Sequence, residues 1–170
     1  MRVMQCIAGA KHGGAEAFFT RLVLALHRAG LDQHVVLRAN SGREKQLTDG
    51  GVTVQTLVFG GKLDISTRLK LRREITRYKP QVVLSWMNRA AAFCPPPRGR
   101  FVHCGRLGGY YELKNYHTCD HLVGNTGELS ATWWTGAGLR LGCIICQISS
   151  RLERLILCLG RNCQRRTIAP

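Results

Sequence analysis

RVMQCIA (residues 2–8), GAKHGG (9–14) and AEAFFTRLVLALHRA (15–29) follow one another and end at Gly30. The first is a short apolar run closed by Gly9, the pattern of a strand buried on both faces. The second is a loop carrying two consecutive glycines. The third has helical period: Phe18, Leu22, Ala25 and Leu26 recur on one face, with Phe19 and Val23 beside them, and Gly30 supplies the stop. A buried strand, a glycine loop and an amphipathic helix make up the first unit of an α/β fold.

The alternation continues outward from this unit. Strands are expected at 34–37, 52–57, 81–85, 100–104 and 121–124, and helices at 43–49, 66–78, 88–93 and 112–119. In the helix at 66–78, Leu69, Leu71, Ile75 and Tyr78 are available for packing, and Lys79-Pro80 ends it. Such alternation predicts an α/β, Rossmann-like parallel sheet of about six strands over residues 2–126, with helices on both faces. Right-handed crossovers then gather the ligand-facing loops at the carboxyl ends of the strands.

Composition narrows the class. The 170 residues suffice for one domain and a fragment. Lys and Arg number 25 against 10 Asp and Glu, for a net charge of +15. That surface suits nucleotide phosphates, nucleic acid or an anionic membrane face. The apolar stretch at 3–10 is short and runs into Lys11 and His12, so neither a secretory leader nor a spanning helix is expected. The cysteines are then read as free thiols of a reducing, cytoplasmic compartment.

Composition also breaks near residue 127. Residues 128–170 hold six Arg and two Glu but no Lys, Asp or His, and four of the eight cysteines. The wet face of a late helix in such a fold normally mixes Lys, Glu and Asp. The expectation is a domain at 1–127 followed by an atypical Cys/Arg-rich tail at 128–170, frameshifted or disordered. Cys143-x-x-Cys146 and Cys158-x4-Cys163 invite a zinc reading, but eleven residues between the pairs is short for a ribbon. No metal is expected.

Candidate binding residues lie on the loops that leave the strands. Gly13 and Gly14 let a ligand approach the backbone, and the following helix offers free N–H groups and a positive dipole end. This pattern is neither G-x-G-x-x-G nor a P-loop. Glu16 opposes a bare phosphate and suits a hydroxyl, or it complements the helix N-terminus. After the fourth strand, Asn88 of Ser85-Trp86-Met87-Asn88-Arg89 is a cleft residue, or Ser85 or Asn88 caps a helix with Trp86 in the core. After the fifth strand, Arg106 stands beside Gly108-Gly109, while His103 reads as a sheet histidine. The residues identify no catalytic group.

Three segments, Lys11–Phe18 (KHGGAEAF), Pro80–Ser85 (PQVVLS) and His121–Thr126 (HLVGNT), resemble the N-terminal domain of the family 4 glycosyltransferases. The resemblance covers about residues 1–127. It implies the N-terminal half of a two-domain GT-B fold. The implied activity is transfer of a sugar from a nucleotide-sugar donor to a cell-envelope glycan or lipid-linked acceptor, with no cofactor. It places Gly13 and Gly14 near the donor diphosphate and acceptor, with Glu16 in the motif position. Where many members carry a histidine after the fifth strand, this chain has Arg106. Nothing in residues 128–170 resembles the second Rossmann domain, which in the family holds the donor. The chain is therefore expected to be a truncated acceptor-side half, inactive alone. Basic residues Arg68, Lys70, Arg72, Arg73 and Arg77 on one helix could dock anionic lipid at the inner membrane face. The alternative is a non-enzymatic basic nucleic-acid-binding module. Its charge fits, but it has no RNP aromatic pair, zinc finger or recognition-helix pattern, which argues against nucleic acid.

Overall fold

The computed structural model describes residues 1–61, 63–109, 113–124 and 142–145. β1 (Arg2–Ile7) is buried at every position after Arg2. It feeds α1 (Gly14–Arg28), β2 (Asp32–Arg38), α2 (Ser41–Asp49) and β3 (Thr53–Leu57). The chain then runs through α3 (Ile65–Tyr78), β4 (Val82–Trp86), α4 (Met87–Phe93) and β5 (Val102–Arg106). A 3-10 turn (Leu113–Tyr116), β6 (His121–Gly124) and β7 (Gly142–Ile145) complete the described part.

Among the described residues all strands are parallel, in the order β3-β2-β1-β4-β5-β6-β7. The chain builds outward from β1 to β3, and α3 carries it back across β1 to lay β4 on the other side. The order therefore reverses between β1 and β4, the place where open α/β sheets bind ligands. One face is covered by α1 and α2, which enclose Ile7, Phe19, Val23, Leu37, Leu47 and Trp86. The other is covered by α3 and α4 over Met4, Cys6, Val36, Leu71, Val83 and Phe93. With both faces covered, the central strands β1 and β4 must be largely apolar on both sides, and they are, with the buried polar residues Gln5 and Ser85 as exceptions.

The expected α/β, Rossmann-like sheet is present. It carries one strand more than expected, β7, paired with β6 from His121↔Gly142 to Gly124↔Ile145. The rest of the tail, Cys146, Cys158 and Cys163 included, lies outside the described residues, as do residues 125–127.

Several local expectations shift. The buried stripe of α1 is Glu16, Phe19, Thr20, Val23 and Leu26, while Ala25 is exposed and Phe18 and Leu22 are half-buried. The apolar arc of this helix is wide, and the sheet meets it one residue further round than expected. On α3 the buried stripe is Thr67, Leu71 and Ile75, which leaves Leu69 in solvent. β5 starts two residues later than expected. A turn closed by Arg100 N–H on Pro97 O (3.0 Å), with Gly99 at φ 74°, takes up the residues before it. The expected helix at 112–119 is a single 3-10 turn.

Candidate functional site

The carboxyl ends of β1, β4 and β5 lie on one edge of the sheet and bring Gly9–Gly14, Met87–Asn88 and Arg106 to the switch point. Glu16 is the third residue of α1, where an acidic side chain usually reaches back to a free N–H at the helix start. Here it reaches further. Its Oε1 accepts the Ala10 N–H at 2.8 Å, and the side chain is 6% exposed. The carboxylate fills the space above two glycines. A Cβ on Gly9 would lie 2.5 Å from Glu16 Oε1 and 2.9 Å from Met87 Cε. A Cβ on Gly13 would overlap Glu16 Oε2. The backbone of Gly13 is extended, at φ 164°, so crowding and not conformation requires glycine there. Gly14 differs: no heavy atom stands within 4 Å of its missing Cβ.

The same loop is held from outside by α2. Arg43 is buried, and its Nη2 donates to Ala10 O (3.1 Å) and Lys11 O (3.4 Å). Asn40 caps α2 by accepting Arg43 N–H (3.2 Å) and donates its Nδ2 to Lys11 O (3.2 Å). Burial pulls the Arg43 guanidinium below its ordinary pKa, and the Glu16 carboxylate opposes that shift. The loop is thus clamped between a buried acid and a buried base. Asn40, a cap residue just before a polar helix, could have been found from its position. Arg43 gives no local signal.

On β4 and β5 the structure separates the candidates. Asn88 is the second residue of α4 and half-exposed. Neither Ser85 nor Asn88 caps that helix. Strand passes to helix with no intervening loop, and Met87 takes φ 63° at the junction. That left-handed value is costly for a non-glycine residue. Arg106 stands in the last position of β5, not in the loop beyond it, because that strand is shifted by two. It is 6% exposed, and its guanidinium lies 4.4 Å from the Trp86 ring centroid and 5.2 Å from that of Phe18.

Deeper in the sheet, Ser85 Oγ is 2.9 Å from His103 Nε2, and His103 Nδ1 is 3.0 Å from Thr118 O. His103 has no exposed surface, and burial lowers its pKa to about 4. This serine–histidine pair is a structural bond inside the core, with no route for substrate. The buried thiols of Cys6, Cys104 and Cys119 are pushed up to about 12, chiefly by burial, which makes them inert at neutral pH. Beside the glycine loop opens a cavity of about 440 Å³ lined by Gly9, Ala10, Lys11, Arg38, Ala39 and Asn40.

Taken together, a glycine loop stands at the reversal point of the parallel sheet of an α/β domain, the place where open sheets of this kind bind ligands. Comparison with known proteins gives the class more closely. The chain is 35% identical over 121 residues to the lipopolysaccharide core biosynthesis glycosyltransferase LpsD of Rhizobium meliloti, a match covering 69% of this chain and 34% of LpsD. It is 34% identical to LpsE of the same organism over 119 residues, covering 68% of this chain and 34% of that protein. The chain spans about a third of the length of these relatives. Its fold is similar to that of Anabaena HepE, solved with UDP and glucose (TM-score 0.61, 14% identity, 85% of this chain, 43% of that one). A Rickettsia africae glycosyltransferase has the same fold (TM-score 0.66, 11% identity, 94% and 48%). No protein-family model matches the chain. Its homologues are thus lipopolysaccharide core glycosyltransferases, and the same fold is shared by solved glycosyltransferases and by UDP-N-acetylglucosamine 2-epimerases. Among the described residues no helix is long and apolar enough to cross a membrane.

Proposed function

We propose that this chain is the N-terminal, acceptor-side part of a family 4 glycosyltransferase, moving a sugar from a nucleotide-sugar donor to an envelope glycan or lipid-linked acceptor. The similarity to LpsD, 35% identity over 121 residues, carries the proposal. Sugar transfer of this kind is mainly a matter of holding two substrates in line and stabilising the leaving diphosphate. The residues divide that work. Gly14, open on its Cα side, is the point of close ligand approach, with Asn88 facing the same edge. Gly13 and Glu16 shape the loop from beneath. Arg106 braces α1 against β4 through Phe18 and Trp86. A second domain, for which the greater length of the relatives leaves room, would complete the donor site.

The test is calorimetric titration of the chain with UDP-sugars, alongside a transfer assay on a chain extended by an in-frame second domain. The reading expects no saturable donor binding by the 170-residue chain and sugar transfer by the longer one. Tight donor binding to the short chain would overturn the division of labour. Absence of transfer by the extended chain across a panel of donors and core glycans would overturn the function.

The proposal extends to location at the cytoplasmic face of an anionic membrane. Val58, Leu63, Ile65 and Leu69 are 65, 91, 65 and 51% exposed, and among the described residues the other large exposed apolar side chain is Met1. Arg68, Lys70, Arg72 and Arg73 share that segment. Apolar side chains ringed by cations suit the interface of an anionic bilayer. Flotation with phosphatidylglycerol vesicles should retain the protein, and Leu63→Asp with Ile65→Asp should release it. Equal retention of the double variant would reject this surface.

A further inference from the structure

We infer that the cavity between β1 and β2 is an anion subsite that receives a phosphate- or carboxylate-bearing sugar of the acceptor. The inference rests on the acceptor-side reading above and names the chemistry of what is accepted.

The cavity is lined by Gly9-Ala10-Lys11, after β1, and by Arg38-Ala39-Asn40, at the end of β2. Its volume of about 440 Å³ lies in the range of small-molecule sites, roughly 300–1,000 Å³. None of the six lining residues is acidic, and two, Lys11 and Arg38, are exposed cations. The clamp described above sets the polarity of the rest. The Ala10 and Lys11 carbonyls, which would repel an anion, are turned onto Arg43 and Asn40. The nearby carboxylate, Glu16, is buried beneath the loop and holds the Ala10 N–H, with Arg43 as its countercharge. Lys11, Arg38 and Arg43 against Glu16 leave the cavity with an excess of two positive charges. In a concave site such a field is focused, not dispersed.

Location separates this subsite from the diphosphate region. It lies on the β2 side of β1, whereas the strand order reverses on the β4 side. A neutral hexose would gain nothing from the two cations. A hexose phosphate or a hexuronate would place its charge between Lys11 and Arg38 and its ring against Ala39 and the loop backbone.

Titration of the 170-residue chain with glucose 6-phosphate, glucuronate, glucose, inorganic phosphate and UDP tests this. Saturable binding of glucose 6-phosphate or glucuronate, with no binding of glucose, is the expected result; the two anions tell phosphate from carboxylate. Lys11→Gln and Arg38→Gln should each weaken that binding about tenfold, the loss of one charge-assisted contact. Arg28→Gln, an equal change of charge at the far end of α1, should leave it unchanged. Unaltered melting temperatures would show that all three variants fold. Binding of glucose as tight as that of its phosphate would overturn the inference, and so would no binding of either sugar anion. An equal effect of Arg28→Gln would reduce the site to general surface charge. Inorganic phosphate binding as tightly as the sugar anions would mean an adventitious ion only. Displacement of glucose 6-phosphate by UDP would give the cavity to the donor and reject the acceptor assignment while leaving the transfer function intact. Anion binding by the short chain with no transfer by the extended one would do the reverse.

Discussion

At the scale of single residues, the two adjacent glycines of the motif have different reasons to be glycine. Gly13 is required by Glu16, whose carboxylate occupies the position of its side chain. Gly14 is surrounded by open space. Gly13→Ala should therefore destabilise the folded chain by about 1–3 kcal/mol, the usual cost of overpacking a tight site. Gly14→Ala should change stability by less than about 0.5 kcal/mol. Urea melts of the two variants check this, and equal losses would contradict the geometry. In an extended, active chain the order should invert, with Gly14→Val lowering turnover in a folded protein. His103 gives a second prediction. Its folded pKa of about 4 lies below the ordinary 6.5, so the unfolded state takes up the proton first. Its contribution is fully present above pH 6.5 and lost as pH falls toward 4, by up to about 3 kcal/mol. His34, also shifted downward chiefly by burial, acts in the same direction. A stability profile between pH 7 and 4.5 that stayed flat would show that His103 is not buried as a neutral ring.

Elements were legible to the degree that their signals are local. β1 and α1 follow from an apolar run, a glycine pair and a helical period, all read within 30 residues. β5 slipped by two because the Pro97–Arg100 turn, with Gly99 left-handed, consumes residues whose type fits a strand equally well. That slip carried Arg106 from a loop into the sheet and onto two aromatic rings. The clamp on the glycine loop was illegible for a different reason. Asn40 and Arg43 meet it from 29 to 33 residues away, and nothing in a nine-residue polar helix announces such a contact. Glu16 had a readable clue, since it falls on the buried stripe of α1 at three- and four-residue spacing. Asn40 serves both as cap of α2 and as a tie to the loop. Asn40→Ala should lower stability by about 1–2 kcal/mol. Amide exchange should also quicken along residues 9–13. Unchanged exchange there would show that α2 does not hold the loop.

At the scale of the whole molecule, the matched region is about a third of the length of its relatives. The described part is nonetheless a coherent piece of architecture, with helices on both faces of its central strands and a clamped loop. The sheet has another property, which concerns how it is made. Among the described residues every pairing is parallel, so none of these strands can close onto its sequence neighbour by a hairpin. β1 must wait for β4, and the bond from Arg2 to Gln81 joins positions 79 residues apart. At translation rates of roughly 5–20 residues per second, that interval is about 4–16 s. For those seconds a strand buried at five of its six positions in the finished fold has one edge open on the ribosome. A nascent chain of this design is a natural client for holding chaperones, and its yield in a cell depends on the pace of synthesis as well as on the stability of the finished fold.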